Sequence, residues 1–220
     1  MTLHGVTDPQ RGALLYRGAE ADVIKGSWCG LQAVYKVRKR LSYRLRVLDD
    51  EIRRQRTVRE AEMLGAAKAA GVGAPHLYFV DINNATLVME YVTGQRMKEA
   101  VSSSVLRVPV LFERLGEDVA RLHSVGIMHG DLTTANIVIR NGELVFLDFG
   151  LAIHSFRTED HAVDLRLIKE TIVGAHSGLT RDAIRALSVG YEEVAGPRKA
   201  RRVFRQLRAI ERRGRYARVD

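Results

Sequence analysis

Residues 129–150 read HGDLTTANIVIRNGELVFLDFG. The stretch sets Asp131 in a short loop, Asn136 five residues later, and Asp148 at the end of a hairpin. Asn141-Gly142, flanked by the apolar runs Ile137-Val138-Ile139 and Leu144-Val145-Phe146-Leu147, is the strongest short signal for a tight turn between antiparallel strands. Folding back there predicts that Asn136 and Asp148 meet at the open end of the two strands. Phosphoryl transfer uses groups of these types. One carboxylate orients or deprotonates the attacking hydroxyl, while an amide and a second carboxylate hold Mg²⁺ against the nucleotide phosphates. The bland alternative is a buried hairpin with acidic ends. HGD or DFG alone is weak evidence, and it is the spacing of both around one turn that favours the catalytic reading.

Working outward, the 220 residues suffice for one large domain or two small lobes, and 46% hydrophobic residues provide for a core. No apolar run approaches the roughly 18 residues that span a bilayer, so no membrane partner is expected. The N-terminal MTLHGVTDPQRGA lacks the layout of a secretory signal. The single cysteine, Cys29, excludes an internal disulfide and a cysteine-based metal site. A cytoplasmic location is the simplest expectation. The net charge of +9 is localised: residues 198–220 carry ten Lys/Arg against Glu211 and Asp220, and residues 36–59 carry ten against three acids. One-signed clusters of this kind point towards a polyanionic partner such as nucleic acid, and mixed-sign helix faces are the ordinary alternative.

Short strands are expected at Leu14–Tyr16, Ala21–Ile24 and Gln32–Val37, punctuated by Gly18, Gly26 and Gly30. A long helix is expected over 48–69, with Asp49 and Asp50 near its start, followed by strands His76–Ile82 and Thr86–Tyr91. Beyond Gly94 the periodicity turns helical, with an amphipathic helix over 109–124 and further helices near 160–176, 180–195 and 197–213. The expected fold is α+β: a small β-rich N-terminal lobe with one long helix (1–92), then a reduced, mainly helical C-terminal lobe (93–220), with a cleft between them.

In the first lobe, Lys36 lies in a strand and Glu60 in the long helix, the elements that supply a phosphate-binding lysine and its carboxylate partner. A surface lysine and a solvated glutamate are the alternative. The phosphate-covering loop departs from the glycine-rich pattern: Gly18-Ala19-Glu20-Ala21-Asp22 keeps one glycine and introduces a negative charge. Gly18, Ala19, Glu20 and Val23 are nonetheless candidate nucleotide contacts. Met89, Glu90 and Val92 are candidates at an adenine-binding strand end.

Together GAEAD (18–22), SYR (42–44), TVREAEML (57–64), MEY (89–91), HGDLTTAN (129–136), LDFGLA (147–152), EDHAVDL (159–165) and the terminal Arg-Gly-Arg (213–215) resemble the small atypical kinase of the KEOPS complex. This is the Bud-thirty-two family, related to the p53-regulating protein kinase. The resemblance implies a protein-kinase-like bilobal fold. It makes Lys36 the phosphate-binding lysine, Glu60 its partner, Asp131 the proton acceptor, and Asn136 and Asp148 ligands of Mg²⁺. It implies ATP and Mg²⁺ as cofactors and an ATPase or Ser/Thr kinase activity supporting threonylcarbamoyl-adenosine formation on tRNA. The implied partners are the tRNA threonylcarbamoyltransferase subunit, the other KEOPS subunits, and tRNA through the basic C-terminal tail. Leu41 and Leu45-Arg46 stand where the family usually has a lysine and His-Pro, which puts partner contacts there in doubt.

Only eight residues separate Gly150 from Glu159 and no Ala-Pro-Glu follows, so a peptide-holding activation segment is missing. That leaves 155–164, with its charges beside Val163 and Leu165, as an expected docking surface for a complex subunit. Two other readings stay open. A RIO-like kinase or an antibiotic phosphotransferase shares the HGD loop, though Asp148-Phe149-Gly150 counts against both. A catalytically weak tRNA-binding scaffold fits the basic tail and altered loop, but has no need of Lys36, Asp131, Asn136 and Asp148 together.

Overall fold

The computed structural model describes residues 12–103, 108–175 and 177–216. The first eleven residues and the last four, including Arg218 and Asp220 of the basic tail, lie outside the described residues. The chain divides into two compact units, Met1–Gly65 with Pro75–Val92, and Ala66–Ala74 with Thr93–Asp220.

The first unit is built on strands β1 (Ala13–Arg17), β2 (Ala21–Trp28), β3 (Leu31–Arg38), β4 (Leu77–Asp81) and β5 (Thr86–Glu90). They form one antiparallel sheet in the order β1-β2-β3-β5-β4. Alternation along β3 sends Ala33 and Tyr35 into a core with Val88, against which Ile24, Trp28, Val37 and Tyr78 pack. Helix α1 (Arg46–Ala69) contributes Met63 and Leu64 to the buried set. Ahead of these two, its buried residues are all polar: Asp49, Arg53, Thr57 and Glu60 are spaced three or four apart on one face. A face of this kind is held by ion pairs rather than by apolar contact.

The second unit continues through β6 (Gln95–Arg96), α2 (Met97–Ser103), α3 (Val108–Ser124), β7 (Ile127–Met128), β8 (Ile137–Arg140), β9 (Glu143–Phe146), β10 (Ile153–His154), α4 (Thr158–Ala175), α5 (Thr180–Ala195) and α6 (Pro197–Tyr216). The β8–β9 hairpin turns at Asn141 and Gly142, with φ of 53° and 84°. Both central residues therefore take the left-handed conformation that a two-residue turn between twisted strands requires. Helix α3 buries Leu111, Phe112, Leu115, Val119 and Leu122. It crosses α5 almost backbone to backbone. A Cβ on Gly116 would lie 2.1 Å from the Leu187 carbonyl oxygen, and one on Gly190 only 1.9 Å from that of Glu113. Among the described residues no helix is long and apolar enough to cross a membrane.

Candidate active site

The loop after β7 carries Asp131 to a single 3-10 turn, Thr134–Asn136, which leads into β8. The Asn136 side-chain amide donates to the Asp131 backbone carbonyl at 3.0 Å and to Asp131 Oδ2 at 2.9 Å. At the other strand of the hairpin, the Leu147 N–H donates to the Asn136 carbonyl at 2.9 Å, extending the β8–β9 ladder by one step. Asp148 follows directly, and its Oδ1 accepts the Gly150 N–H at 2.8 Å. Asp131, Asn136 and Asp148 are thus gathered at one end of the hairpin, each half-buried. Because Asn136 spends its nitrogen on acceptors, its Oδ1 is the atom oriented to serve as a ligand. With the Asp148 carboxylate this gives an all-oxygen donor pair, which suits Mg²⁺ completed by phosphate oxygens and water. Among the described residues no group of three or more His, Cys, Asp or Glu could hold a metal by itself.

The loop rests on a support that sequence reasoning missed. Asp164 of α4 is 1% exposed and accepts the His129 N–H at 2.6 Å and the Gly130 N–H at 2.8 Å. Its Oδ2 also lies 3.2 Å from His123 Nε2. Since the carboxylate can only accept, His123 donates from Nε2, and its Nδ1 receives the Tyr191 hydroxyl at 2.9 Å. Lys199 donates to the His123 carbonyl at 2.9 Å. His129 in turn packs on Phe149 and Phe146, with ring centroids 4.9 and 5.9 Å away. The signal for Asp164 was present in EDHAVDL, but as a charge on a surface. The structure corrects that: Asp164 and Leu165 face the core, so they are no part of a docking surface. Asp160 is likewise engaged, accepting the Ser155 hydroxyl at 2.6 Å at the start of α4.

His161 stacks on His123 at 4.1 Å and donates to the Ser155 carbonyl at 3.0 Å. Burial first, then any charge on His123, pushes His161 down to about 4 from its ordinary 6.5. Burial also lowers His123. On acidification the unfolded chain takes up a proton near 6.5 while folded His161 resists until about 4. Stability is therefore complete above this window and falls as pH drops through it. His161→Gln should show a smaller drop in melting temperature between pH 7.5 and 4.5 than the wild type; an unchanged acid slope would contradict the assignment.

In the first unit, Lys36 Nζ donates to Glu60 Oε1 at 2.7 Å, with side chains 9% and 1% exposed. Val23 faces Lys36 across the β2–β3 ladder. Gly18 opens a tight turn in which its N–H donates to the Ala21 carbonyl at 2.9 Å, and Ala19 is exposed at the tip. Glu20 pairs with Arg44 at 3.4 Å and also with Arg56, so its charge is matched by two guanidinium groups. It is not an uncompensated negative charge in the loop. Of the candidate adenine contacts, Glu90 already donates its N–H to the His76 carbonyl at 2.8 Å, and the N–H of the neighbouring Tyr91 donates to the Gln32 carbonyl at 3.2 Å. Met89 is buried within β5. Neither of those two N–H groups is on offer to a base, which narrows the choice around Val92.

The basic tail is a helix face. Arg198, Arg201, Arg205, Arg208 and Arg212 are all exposed at spacings of three or four, whereas Ala200, Val203 and Leu207 are buried. Lys169 of α4 binds Glu211 at 2.6 Å.

Residues 18–176 match the protein kinase domain family. The KEOPS complex subunit Bud32 of Pyrococcus abyssi is 36% identical over 211 residues, which cover 92% of this chain and 96% of that protein. A probable bifunctional tRNA threonylcarbamoyladenosine biosynthesis protein of Methanobrevibacter smithii is 39% identical over 92% of this chain. This chain spans only 36% of that relative's length. Among solved structures, the Rio2 kinase–ADP/Mg²⁺–phosphoaspartate complex from Chaetomium thermophilum superposes with a TM-score of 0.62 at 18% identity, covering 92% of this chain and 70% of that one. WaaP in complex with acyl carrier protein gives 0.64 at 15% identity, covering 94% and 88%. At such identities the two structures speak for the fold alone.

Proposed function

Because this chain belongs to the protein kinase domain family, and within it to that of the KEOPS complex subunit Bud32, we propose that it is an atypical Ser/Thr kinase and ATPase. It would use Mg-ATP to support threonylcarbamoyladenosine formation on tRNA. The observation that carries this reading is the cluster of Asp131, Asn136 and Asp148 at one hairpin end, tied by the Asn136–Asp131 and Leu147–Asn136 bonds. Asp131 accepts the proton of, or orients, the water or hydroxyl that attacks the terminal phosphorus, and ADP leaves. Asn136 Oδ1 and the Asp148 carboxylate hold the Mg²⁺, which when bound neutralises charge on the phosphate oxygens. Lys36, fixed by Glu60, pairs with the phosphates.

The link from Gly150 to the start of α4 at Thr158 is too short to form a peptide platform, so protein substrates are presented by partners. The partners are the tRNA threonylcarbamoyltransferase subunit, the other KEOPS subunits and tRNA, in a compartment without membrane attachment. A RIO-like kinase fits less well, since the Bud32 relative matches along 96% of its length. A tRNA-binding scaffold leaves the Asp131–Asn136–Asp148 cluster without a purpose.

The test is ATP turnover by the chain alone and with its transferase partner and tRNA. No turnover in any combination refutes the proposal. The exposed arginine stripe of α6 supplies the tRNA contact. Truncation after Glu211 keeps the Lys169 pair and the apolar anchors Val203 and Leu207. The truncated chain should fold and bind nucleotide but lose much of its tRNA affinity. The full chain's affinity should fall with salt at a log–log slope of about −0.7 to −0.9 per phosphate contacted. Unchanged tRNA binding by fluorescence anisotropy would exclude the tail.

A further inference from the structure

We infer that Glu20 is a positioning residue of the nucleotide site: its carboxylate fastens the turn between β1 and β2 to α1. Ion pairs hold the phosphate-covering loop in place, and it does not close as a free flap. The inference rests on the reading of this turn as the loop over the phosphates.

The turn already departs from a mobile loop in its sequence. Glycine-rich loops cover phosphates with backbone N–H groups and owe their freedom to repeated glycines. Gly18-Ala19-Glu20-Ala21 keeps only one, and that one serves a tight turn. The Gly18 N–H donates to the Ala21 carbonyl at 2.9 Å, and a Cβ on Gly18 would lie 2.8 Å from the same oxygen. Glycine is needed here for room. Glu20 then ties the turn to three other segments. Its carbonyl accepts the Lys39 N–H at 2.8 Å, where β3 ends. Its Oε1 accepts from Arg44 Nη2 at 3.4 Å, in the segment leading to α1, and its Oε2 from Arg56 Nη1, in α1 itself. Asp22, the other acid of the loop, pairs with Lys39 at 3.3 Å.

The helix end of this tie is itself fixed. The Arg56 carbonyl accepts Arg38 Nη2 at 3.3 Å, and the Arg38 carbonyl accepts Arg53 Nη1 at 3.3 Å, which joins α1 to β3. Arg44 also reaches Asp49 of α1, at 3.7 Å. With side chains 41%, 19% and 34% exposed, Glu20, Arg44 and Arg56 form pairs that are each weak in water. Their effect lies in what they connect. Moving the turn means breaking both pairs and the Lys39 bond together. A loop ordered beforehand spares the nucleotide the entropy of closing it. The carboxylate in this loop thus acts as an anchor, its charge committed to two guanidinium groups.

Two roles for Glu20 predict opposite signs. A charge that simply repelled phosphates would make Glu20→Gln bind Mg-ATP more tightly, whereas an anchor predicts weaker binding. Affinity is measured on the full chain with a fluorescent ATP analogue and Mg²⁺, displaced by ATP or by adenosine. The proteins compared are the wild type, Glu20→Gln, Arg56→Gln, the double variant and Lys36→Met. Glu20→Gln should weaken Mg-ATP about three- to tenfold and leave adenosine within about twofold, because only the contact with phosphate depends on the turn. Adding Arg56→Gln to Glu20→Gln should cost no more than Glu20→Gln alone, the mark of residues acting as a pair. Without nucleotide, hydrogen exchange of the amides at 18–21 should be faster in Glu20→Gln and in Arg56→Gln than in the wild type. Tighter or unchanged Mg-ATP binding in Glu20→Gln, equal losses for ATP and adenosine, or unchanged exchange in the turn would overturn the role of Glu20. If the wild type binds no Mg-ATP, or Lys36→Met binds it unchanged, the nucleotide reading itself fails and the inference with it.

Discussion

Replacing Asp131 with alanine is expected to lower ATP turnover by ~10²–10⁴-fold, the range for removing a positioned proton acceptor. Asp148→Ala should have an effect at least as deep, because it removes a carboxylate assigned to the metal. Both residues are half-buried at a hairpin end rather than in the core, so far-UV circular dichroism and the melting temperature should change little. Asp131→Asn refines the result. It keeps an oxygen for the Asn136 amide, which now donates to Asp131 Oδ2 at 2.9 Å, yet it cannot take a proton. If it retains full turnover, Asp131 serves only to hold Asn136. Wild-type turnover in Asp131→Ala and Asp148→Ala alike would sink the phosphoryl-transfer reading.

The largest loss of stability is expected from Asp164→Ala. That change strands the N–H groups of His129 and Gly130 and the Nε2–H of His123, all of which point at a carboxylate that is 1% exposed. Unpartnered buried donors around a lost charge put the cost at about 3–5 kcal/mol. For a protein of this size this corresponds to a fall in melting temperature of roughly 6–20 °C. Asp164→Asn should recover part of it, since one side-chain oxygen can still accept. Its turnover should stay low even at temperatures where it is folded, because the carboxylate sets the path of the backbone leading into Asp131. A variant with the wild-type melting temperature would show that the two amides find other acceptors.

Much of this was legible in the residues themselves. Asn141-Gly142 located the hairpin because so few residues tolerate two consecutive positive φ angles, and the hairpin then brought Asn136 to Asp148. The helices expected at 109–124, 180–195 and 197–213 appear at 108–124, 180–195 and 197–216, since their apolar stripes keep helical spacing. Asp164 and His123 were not legible as working residues. Each is a titratable group whose partners lie 34 to 76 positions away, and local periodicity does not reveal which polar residues a fold will bury. The same blindness made Glu20 look like an obstacle. Its two arginines come from other segments, and only the fold shows that its charge is spoken for.

The crossing of α3 and α5 bears on how this protein could be made more robust. Exchanging helical glycines for alanine is a standard stabilising device, worth about 0.4–1 kcal/mol where the backbone accepts it, because it narrows the unfolded ensemble. Gly65 and Gly174 have open space where a methyl group would go, so they are the natural places to apply it. Gly116 and Gly190 are excluded, since a methyl group there would strike a carbonyl oxygen of the opposing helix. Because α3 runs on to the strand and loop that carry Asp131, prying the two helices apart would unseat the loop as well. A consensus or library-based campaign that treats the four glycines alike would therefore gain at two positions and lose both fold and turnover at the other two.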